Sequence, residues 1–172
     1  MKLGIISDTH ITFNTNQNKI LALITQLKNV FKDADKILHA GDVCELSFLN
    51  LLESIAPVVA VKGELDMIEY LELSTQISVG HYNIGLIHRL PENLEDYMKE
   101  KNLQILVYGH THIPLIQGTA FNTLLLNPGS PTTPNVPPQK PGFLKPVARP
   151  TVITLSIDEN DVLSTFIITL RL

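Results

Sequence analysis

Short apolar runs recur along the chain, and each gives way abruptly to a turn that contains Gly, Asp, His or Asn. Six runs of this kind cover residues 3–7, 36–38, 58–61, 84–87, 105–108 and 124–126. Continuous apolar runs of this length are typical of strands that are buried on both faces. The pattern therefore predicts a sheet that is covered by helices.

The segments between these runs have helical spacing. Residues 20–31 place apolar side chains at i, i+3, i+4 and i+7, and residues 48–55 form a second, shorter stripe. Pro91 is placed in the first turn of a third helix. Two strand-like runs at 151–157 and 164–170, joined by an acidic link, predict a hairpin. Strands alternating with helices indicate an α/β fold, and we expect one domain over residues 1–172.

A proline-rich segment separates the last predicted α/β strand from the hairpin. Eight of the eleven prolines lie between Asn127 and Pro150. Proline excludes an interior helix and lacks the donor that an interior strand needs, so the segment is expected to be a loop. Residues 131–150 would either cover a functional site or form a contact between subunits, and the sequence leaves both alternatives open.

Composition excludes several classes of protein. Thirteen Lys and Arg against seventeen Asp and Glu give a net charge of −4, which disfavours a coat for nucleic acid or for an anionic membrane. One cysteine among 172 residues excludes an internal disulfide and a thiolate zinc site. The chain begins without a secretory signal and has no apolar stretch near the ~20 residues that span a bilayer, so a cytoplasmic location is expected.

Candidate metal ligands stand where the predicted strands end. There are three carboxylates and four imidazoles, namely Asp8, His10, Asp42, Glu64, His88, His110 and His112. Ligands of open α/β sheets bind outside the carboxyl ends of the strands, so these side chains are expected to converge. Mixed N/O ligation suits Mn, Fe, Zn, Ni or Co. Seven ligands exceed the needs of one such ion, which favours two adjacent metals that share a carboxylate.

Local spacing supports the convergence. We expect extended backbone at Asp8–His10 and His110–His112, because residues i and i+2 of an extended segment point the same way. Gly41 and Gly109 precede Asp42 and His110, where a small residue lets the backbone pass close to the site.

These motifs resemble those of a known family. Asp8-x-His10, Gly41-Asp42, Gly63-x-x-Asp66, His88 and Gly109-His110-x-His112 follow in the order found in the calcineurin-like metallophosphoesterase superfamily. They are most similar to its small single-domain bacterial and archaeal phosphodiesterases, of which Asn127-Pro128-Gly129-Ser130 is also typical. The resemblance covers residues 8–130.

The resemblance implies a four-layer α/β-β/α sandwich that holds two divalent ions, with Mn preferred over Ni, Co, Zn and Fe. It implies that Asp8, His10 and His112 hold one metal. His88, His110 and Glu64 would hold the other, with Asp42 bridging the two. Its implied reaction is phosphodiester hydrolysis by a metal-bridging hydroxide, in which Asp42, Glu64 and His110 act as catalytic residues.

Three positions depart from the family pattern. Glu64 replaces an Asn, so the second metal is expected to be kept but phosphate binding to be weakened by charge. Arg89 replaces a Gly, and it would pair with Glu64, contact a substrate phosphate, or point into solvent. Leu65 replaces a His that donates a proton in larger relatives, so diesters and good leaving groups are the expected substrates.

Other residues receive structural interpretations. His39 is expected to pack near Asp42, and Asp66 to orient the Gly63–Glu64 turn. Asn127 and Ser130 are expected to fix their own turn. No role is assigned to His81 or to the acidic link 158–161 beyond a solvated turn, and Cys44 is expected to be a small buried hydrophobe.

Two further functions compete with a phosphodiesterase. A non-catalytic scaffold on the same fold, like the metallophosphoesterase-like subunit of retromer, is favoured by Glu64. A metal-dependent nuclease is disfavoured by the acidic charge, although two divalent ions would offset the net charge of −4. The expected binding partner is a small phosphoester, whereas binding to nucleic acid is disfavoured and binding to a membrane is not expected. The sequence leaves open whether the chain forms a homo-oligomer.

Overall fold

The computed structural model describes all 172 residues as ten strands and three helices. The strands are β1 (Lys2–Ile6), β2 (Lys36–His39), β3 (Val58–Ala60), β4 (Ser74–Val79), β5 (Tyr82–Ile87), β6 (Ile105–Val107), β7 (Pro114–Gly118), β8 (Leu124–Pro128), β9 (Thr151–Ile157) and β10 (Leu163–Thr169). The helices are α1 (Gln17–Val30), α2 (Leu46–Glu53) and α3 (Leu94–Glu100). None of the helices is both long and apolar enough to cross a bilayer.

The strands form two five-stranded mixed sheets. The first has the order β10-β9-β1-β2-β3, in which β1, β2 and β3 are parallel and the C-terminal hairpin is antiparallel. The second has the order β4-β5-β6-β8-β7, in which β5, β6 and β8 are parallel and the two edge strands are antiparallel. The predicted hairpin is confirmed.

Three apolar clusters hold four layers together. Leu3 and Ile5 of β1 pack with Ile84 and Leu86 of β5 in the cluster between the two sheets. The opposite face of the first sheet packs against α1 and α2, and that of the second packs against α3. Because each central strand is covered on both faces, its sequence is continuously apolar. The structure confirms the predicted four-layer sandwich.

The sequence reading missed β4 and β7, which lie at the two edges of the second sheet. Four of the six residues of β4 are polar and β7 begins with Pro114, both of which are features that an edge strand tolerates. The third helix begins at Leu94 after an Asn93 cap whose side chain accepts from the Asp96 N–H. Pro91 therefore lies before the helix, and its expected placement in the first turn was wrong.

Candidate metal centre

The loops that follow β1, β2, β3, β5 and β6 bring all seven candidate ligands together. Their ligating atoms form three overlapping groups in which all atoms lie within 4.8 Å of one another. These groups are Asp8, His10 and His112; Glu64, His88 and His110; and Asp8, Asp42 and His88. His110 and His112 therefore contribute to different groups, whereas Asp8 and His10 share one.

The backbone at these ligands is left-handed, so the expected extended conformation was wrong. The φ angles are 53° at Asp8, 46° at His10, 55° at Asp42, 67° at His110 and 59° at His112. Such residues cost on the order of 1–3 kcal/mol each and persist where surrounding structure holds them. Hydrogen bonds from Asp8 N to Gly41 O and from His10 N to Asp42 O, both 3.0 Å, tie the first two loops together.

The glycines in these loops leave room for the site, as expected. A Cβ atom on Gly109 would lie 2.7 Å from Asp8 Oδ2, and one on Gly41 would lie 2.6 Å from His88 Nδ1. Both separations are shorter than van der Waals contact, so any larger residue would displace a candidate ligand.

In the first group, the tautomer of His112 is fixed by the backbone. His112 Nδ1 donates to the carbonyl oxygen of Thr133 at 2.6 Å, because a carbonyl can only accept. Its Nε2 lone pair therefore faces the site, 3.4 Å from Asp8 Oδ1 and 3.1 Å from His10 Nε2. A carbonyl that orients the imidazole in this way is typical of histidine ligands in metal sites.

His88 in the second group is fixed in the same manner. Its Nδ1 donates to Ala40 O at 2.7 Å, which leaves the Nε2 lone pair directed at the carboxylates. Nε2 is buried and has no hydrogen-bond partner, although Glu64 Oε2 lies 2.7 Å away. His110 Nδ1 lies 3.4 Å from the other Glu64 oxygen. Nε2 of His88, Nδ1 of His110 and the two Glu64 oxygens thus form a mixed set of nitrogen and oxygen donors, which fits a divalent metal.

Asp42 stands between the two groups. Its Oδ2 lies 3.5 Å from His88 Nε2 and 3.9 Å from His10 Nε2, and its Oδ1 accepts from Leu65 N at 2.9 Å. Asp8 also lies between the groups, because its Oδ1 is 3.9 Å from His88 Nε2.

The carboxylates need positive charge. Asp8 is fully buried and Asp42 is 5% exposed. Burial raises the pKa of Asp8, against the opposing effect of His88 and His112. Partial burial also raises the pKa of Glu64, but its own backbone hydrogen bond and the charges of His88 and His110 outweigh this and leave the pKa low. Buried carboxylates are stabilised by paired cations or bound metals.

Asp66 supports the site in the orienting role expected of it. It is 2% exposed, and its Oδ2 accepts from the backbone N–H groups of Asp42 at 2.9 Å and Gly63 at 2.8 Å. Its Oδ1 accepts from Cys44 N at 2.7 Å. One side chain thus fixes the loops that carry Asp42 and Glu64.

The start of the proline-rich segment also supports the ligand loops. Ser130 Oγ donates to Asp8 O at 2.7 Å, and Asn127 Nδ2 donates to Gly109 O at 2.8 Å. Asn127 Oδ1 accepts from Gly129 N at 2.8 Å, which is the turn-fixing role expected of it. Sequence reasoning missed the roles of Ala40 and Thr133. Their backbone carbonyls orient the imidazoles, and a backbone carbonyl leaves no side-chain signal.

His39 is fully buried, as its expected packing role requires, and its Nε2 contacts Thr9 Oγ1 at 3.0 Å. Three other residues differ from their expected roles. Cys44 is half-buried rather than buried, and its Sγ lies 3.9 Å from His10 Nδ1. Asp161 in the acidic link pairs with His81, and its carbonyl oxygen accepts from Tyr82 OH at 3.1 Å. That link is therefore more than a solvated turn.

The rim of the site is exposed. The Arg89 side chain is 72% exposed and its Nη1 lies 3.9 Å from Glu64 Oε1, so it is both near Glu64 and open to solvent. Leu65, which replaces the usual His, is 58% exposed. The buried ligands therefore form the floor of the site, and Glu64, His110 and Arg89 form its rim.

Comparisons with known proteins agree with this geometry. Residues 1–158 match the family model for the calcineurin-like phosphoesterase superfamily domain. A probable metallophosphoesterase of Methanocaldococcus jannaschii is 37% identical over 148 residues, which span 80% of this chain and 71% of that protein. The chain therefore belongs to the calcineurin-like metallophosphoesterase superfamily.

Solved structures share the fold. An archaeal phosphodiesterase superposes with a TM-score of 0.70 at 22% identity, covering 98% of this chain and 100% of the other. Vps29 of Entamoeba histolytica, in a complex with zinc, superposes with a TM-score of 0.70 at 23% identity. The match covers 99% of this chain and 100% of Vps29. The fold thus occurs in a phosphodiesterase and in a sorting protein.

Proposed function

We propose that this protein is a phosphodiesterase that uses two divalent cations, with manganese preferred. The observation that carries the proposal is the pair of imidazoles, His88 and His112, whose Nδ1 atoms donate to backbone carbonyls. Both Nε2 atoms are thereby directed toward carboxylates by the protein's own backbone. This preorganisation supports metal binding more strongly than the presence of the residue types alone.

The distances between the candidate ligands support two ligand sets. Asp8, His10 and His112 would hold one ion, and Glu64, His88 and His110 the other. Asp42 would bridge them, because its Oδ2 faces both groups. Residues 1–172 act as one domain in this proposal, since β9 pairs with β1 and completes the sheet that carries Asp8.

Bound divalent cations would lower the pKa of a bound water from ~15.7 to roughly 7 and offset charge on the phosphoryl oxygens. The protein's own groups position the substrate. Arg89 at the rim can donate two hydrogen bonds to phosphate oxygens. Leu65 offers no proton to the leaving group, so esters whose leaving groups are stable as anions are favoured.

Metal analysis combined with an activity screen tests the proposal. We expect two equivalents of Mn per chain after loading, and hydrolysis of bis(p-nitrophenyl) phosphate that a chelator abolishes. The His88→Ala variant should lose one equivalent and its activity, whereas His81→Ala, a histidine outside the site, should keep both. Fully loaded protein without turnover on a panel of diesters and monoesters would exclude the activity.

A non-catalytic scaffold is the second candidate, and Glu64 favours it. The carboxylate adds negative charge where the substrate phosphate would bind, and it lacks the amide N–H groups of an asparagine. The shared fold with Vps29 is consistent with this alternative. The Glu64→Asn variant separates the two: a large rise in hydrolysis would identify a degraded site, and a loss would identify a tuned one.

A further inference from the structure

A groove of about 250 Å³ adjoins the rim of the candidate metal centre. Two candidate ligands, Glu64 and His88, line it together with Lys62, Arg89, Leu73 and Ile87. Lys62 lies two residues before Glu64, and Arg89 directly follows His88. The strand ends that position two candidate ligands therefore also position two cations.

The two cations of this groove outnumber its one carboxylate. Lys62 is absent from the ion pairs of the structure, and Arg89 pairs with Glu64 at 3.9 Å. Glu64 also faces His88 at 2.7 Å and His110 at 3.4 Å. The groove therefore keeps a net positive charge, with Lys62 unpaired, and this charge attracts an anion from solution.

The wall of the groove is apolar. Leu73 is 74% exposed, and Ile87 is half-buried at the end of β5. An apolar wall beside two cations suits a ligand that combines a flat or aliphatic body with a negative charge. Inorganic phosphate alone would leave that wall without a partner.

We propose that this groove, formed by Lys62, Arg89, Leu73 and Ile87, binds a second anionic group of the substrate. The substrate class is then a phosphodiester that carries another phosphate on the part nearest Lys62, as in a nucleotide ester with a terminal phosphate. The proposal rests on the proposed function, because that function places the reacting phosphate beside Glu64 and His88.

Two chromogenic esters test it. Thymidine 5′-(p-nitrophenyl phosphate) has one phosphate, and its 3′-phosphorylated counterpart has a second one; both release p-nitrophenol. Metal-loaded protein should have a kcat/KM about fivefold or more higher for the 3′-phosphorylated ester, since one opposite-charge contact near 4 Å contributes roughly 1 kcal/mol in water. Lys62→Gln should abolish this preference for the 3′-phosphorylated ester, and Arg89→Gln should reduce it. Lys28→Gln, an exposed lysine on α1, should preserve it.

Binding without turnover gives an independent readout. Calorimetry with thymidine 3′,5′-bisphosphate and thymidine 5′-monophosphate should show the same preference, lost again in Lys62→Gln. Equal affinities for the two nucleotides, or a preference that survives Lys62→Gln, would overturn the groove assignment. A bisphosphate preference that depends on Lys62 in a protein without turnover would support the groove and overturn the phosphodiesterase proposal.

Discussion

Nε2 of His88 lies 2.7 Å from Oε2 of Glu64, yet the two atoms do not form a hydrogen bond. The His88 proton is on Nδ1, where it is held by the carbonyl of Ala40. Nε2 of the imidazole and the Glu64 carboxylate therefore face each other as two donors that a single divalent cation can hold together. This relationship connects the stability of the folded protein to metal binding.

Metal removal should lower the melting temperature. An ion that binds only the folded state at 100 times its Kd adds about 2.7 kcal/mol of unfolding free energy. For a domain of this size, that corresponds to about 5–10 °C. Thermal unfolding followed by circular dichroism, with Mn and with excess EDTA, measures the difference. An unchanged melting temperature would mean that the site does not hold an ion.

Asp66→Asn should weaken metal binding without removing a ligand. Asp66 accepts three backbone N–H bonds, and an amide group must present its NH₂ to at least one of those donors. The loops of Asp42 and Glu64 would shift, and losses of about 10–100-fold in affinity are typical for residues that orient ligands. Mn titration calorimetry measures this, with the remote exposed carboxylate variant Asp33→Asn as the control. Equal affinities would show that Asp66 has no orienting role.

The sequence predicts the central strands, the layers and the convergence of the seven ligands, because strand ends and burial leave a strong pattern. It does not predict β4 and β7, since edge strands carry mixed polarity and, in β7, an initial proline. It also misplaces the backbone at Asp8 and His110, where ligand geometry and loop hydrogen bonds override the usual preference against positive φ. Support from Ala40 and Thr133 comes through carbonyls, which every residue has.

Gly109→Ala should damage both the site and the packing beneath it. The added Cβ would overlap the buried Ser7 Oγ and lie 2.7 Å from Asp8 Oδ2, so the methyl group displaces a ligand and its buried neighbour at a cost of about 1–3 kcal/mol. Gly118→Ala is the matched control, because no atom lies within 4 Å of a Cβ at that position. Urea unfolding and Mn titration on both variants separate stability from metal affinity. Equal behaviour of the two variants would contradict the close packing at Gly109.

His39 should make the folded protein less stable as the pH falls from 6.5. Complete burial is the main cause that lowers the pKa of His39 from 6.5 to about 3. Above pH 6.5 the imidazole is neutral in both states and contributes no pH dependence. Between pH 6.5 and 3, His39 binds a proton in the unfolded chain but not in the folded chain. The free energy of unfolding therefore decreases as the pH is lowered through this range. At pH 5 the free energy of unfolding is lower by about 2 kcal/mol than at pH 6.5 or above.

Urea unfolding of metal-free protein at pH 7.5 and pH 5 measures this loss in wild type and His39→Gln. Over that interval, the free energy of unfolding should fall by about 2 kcal/mol less in the variant than in wild type. The other histidines are present in both proteins, so their contributions are the same. In NMR spectra of the wild type, the His39 ring should stay neutral from pH 8 to pH 5. A midpoint near 6.5 would show that burial does not control its proton.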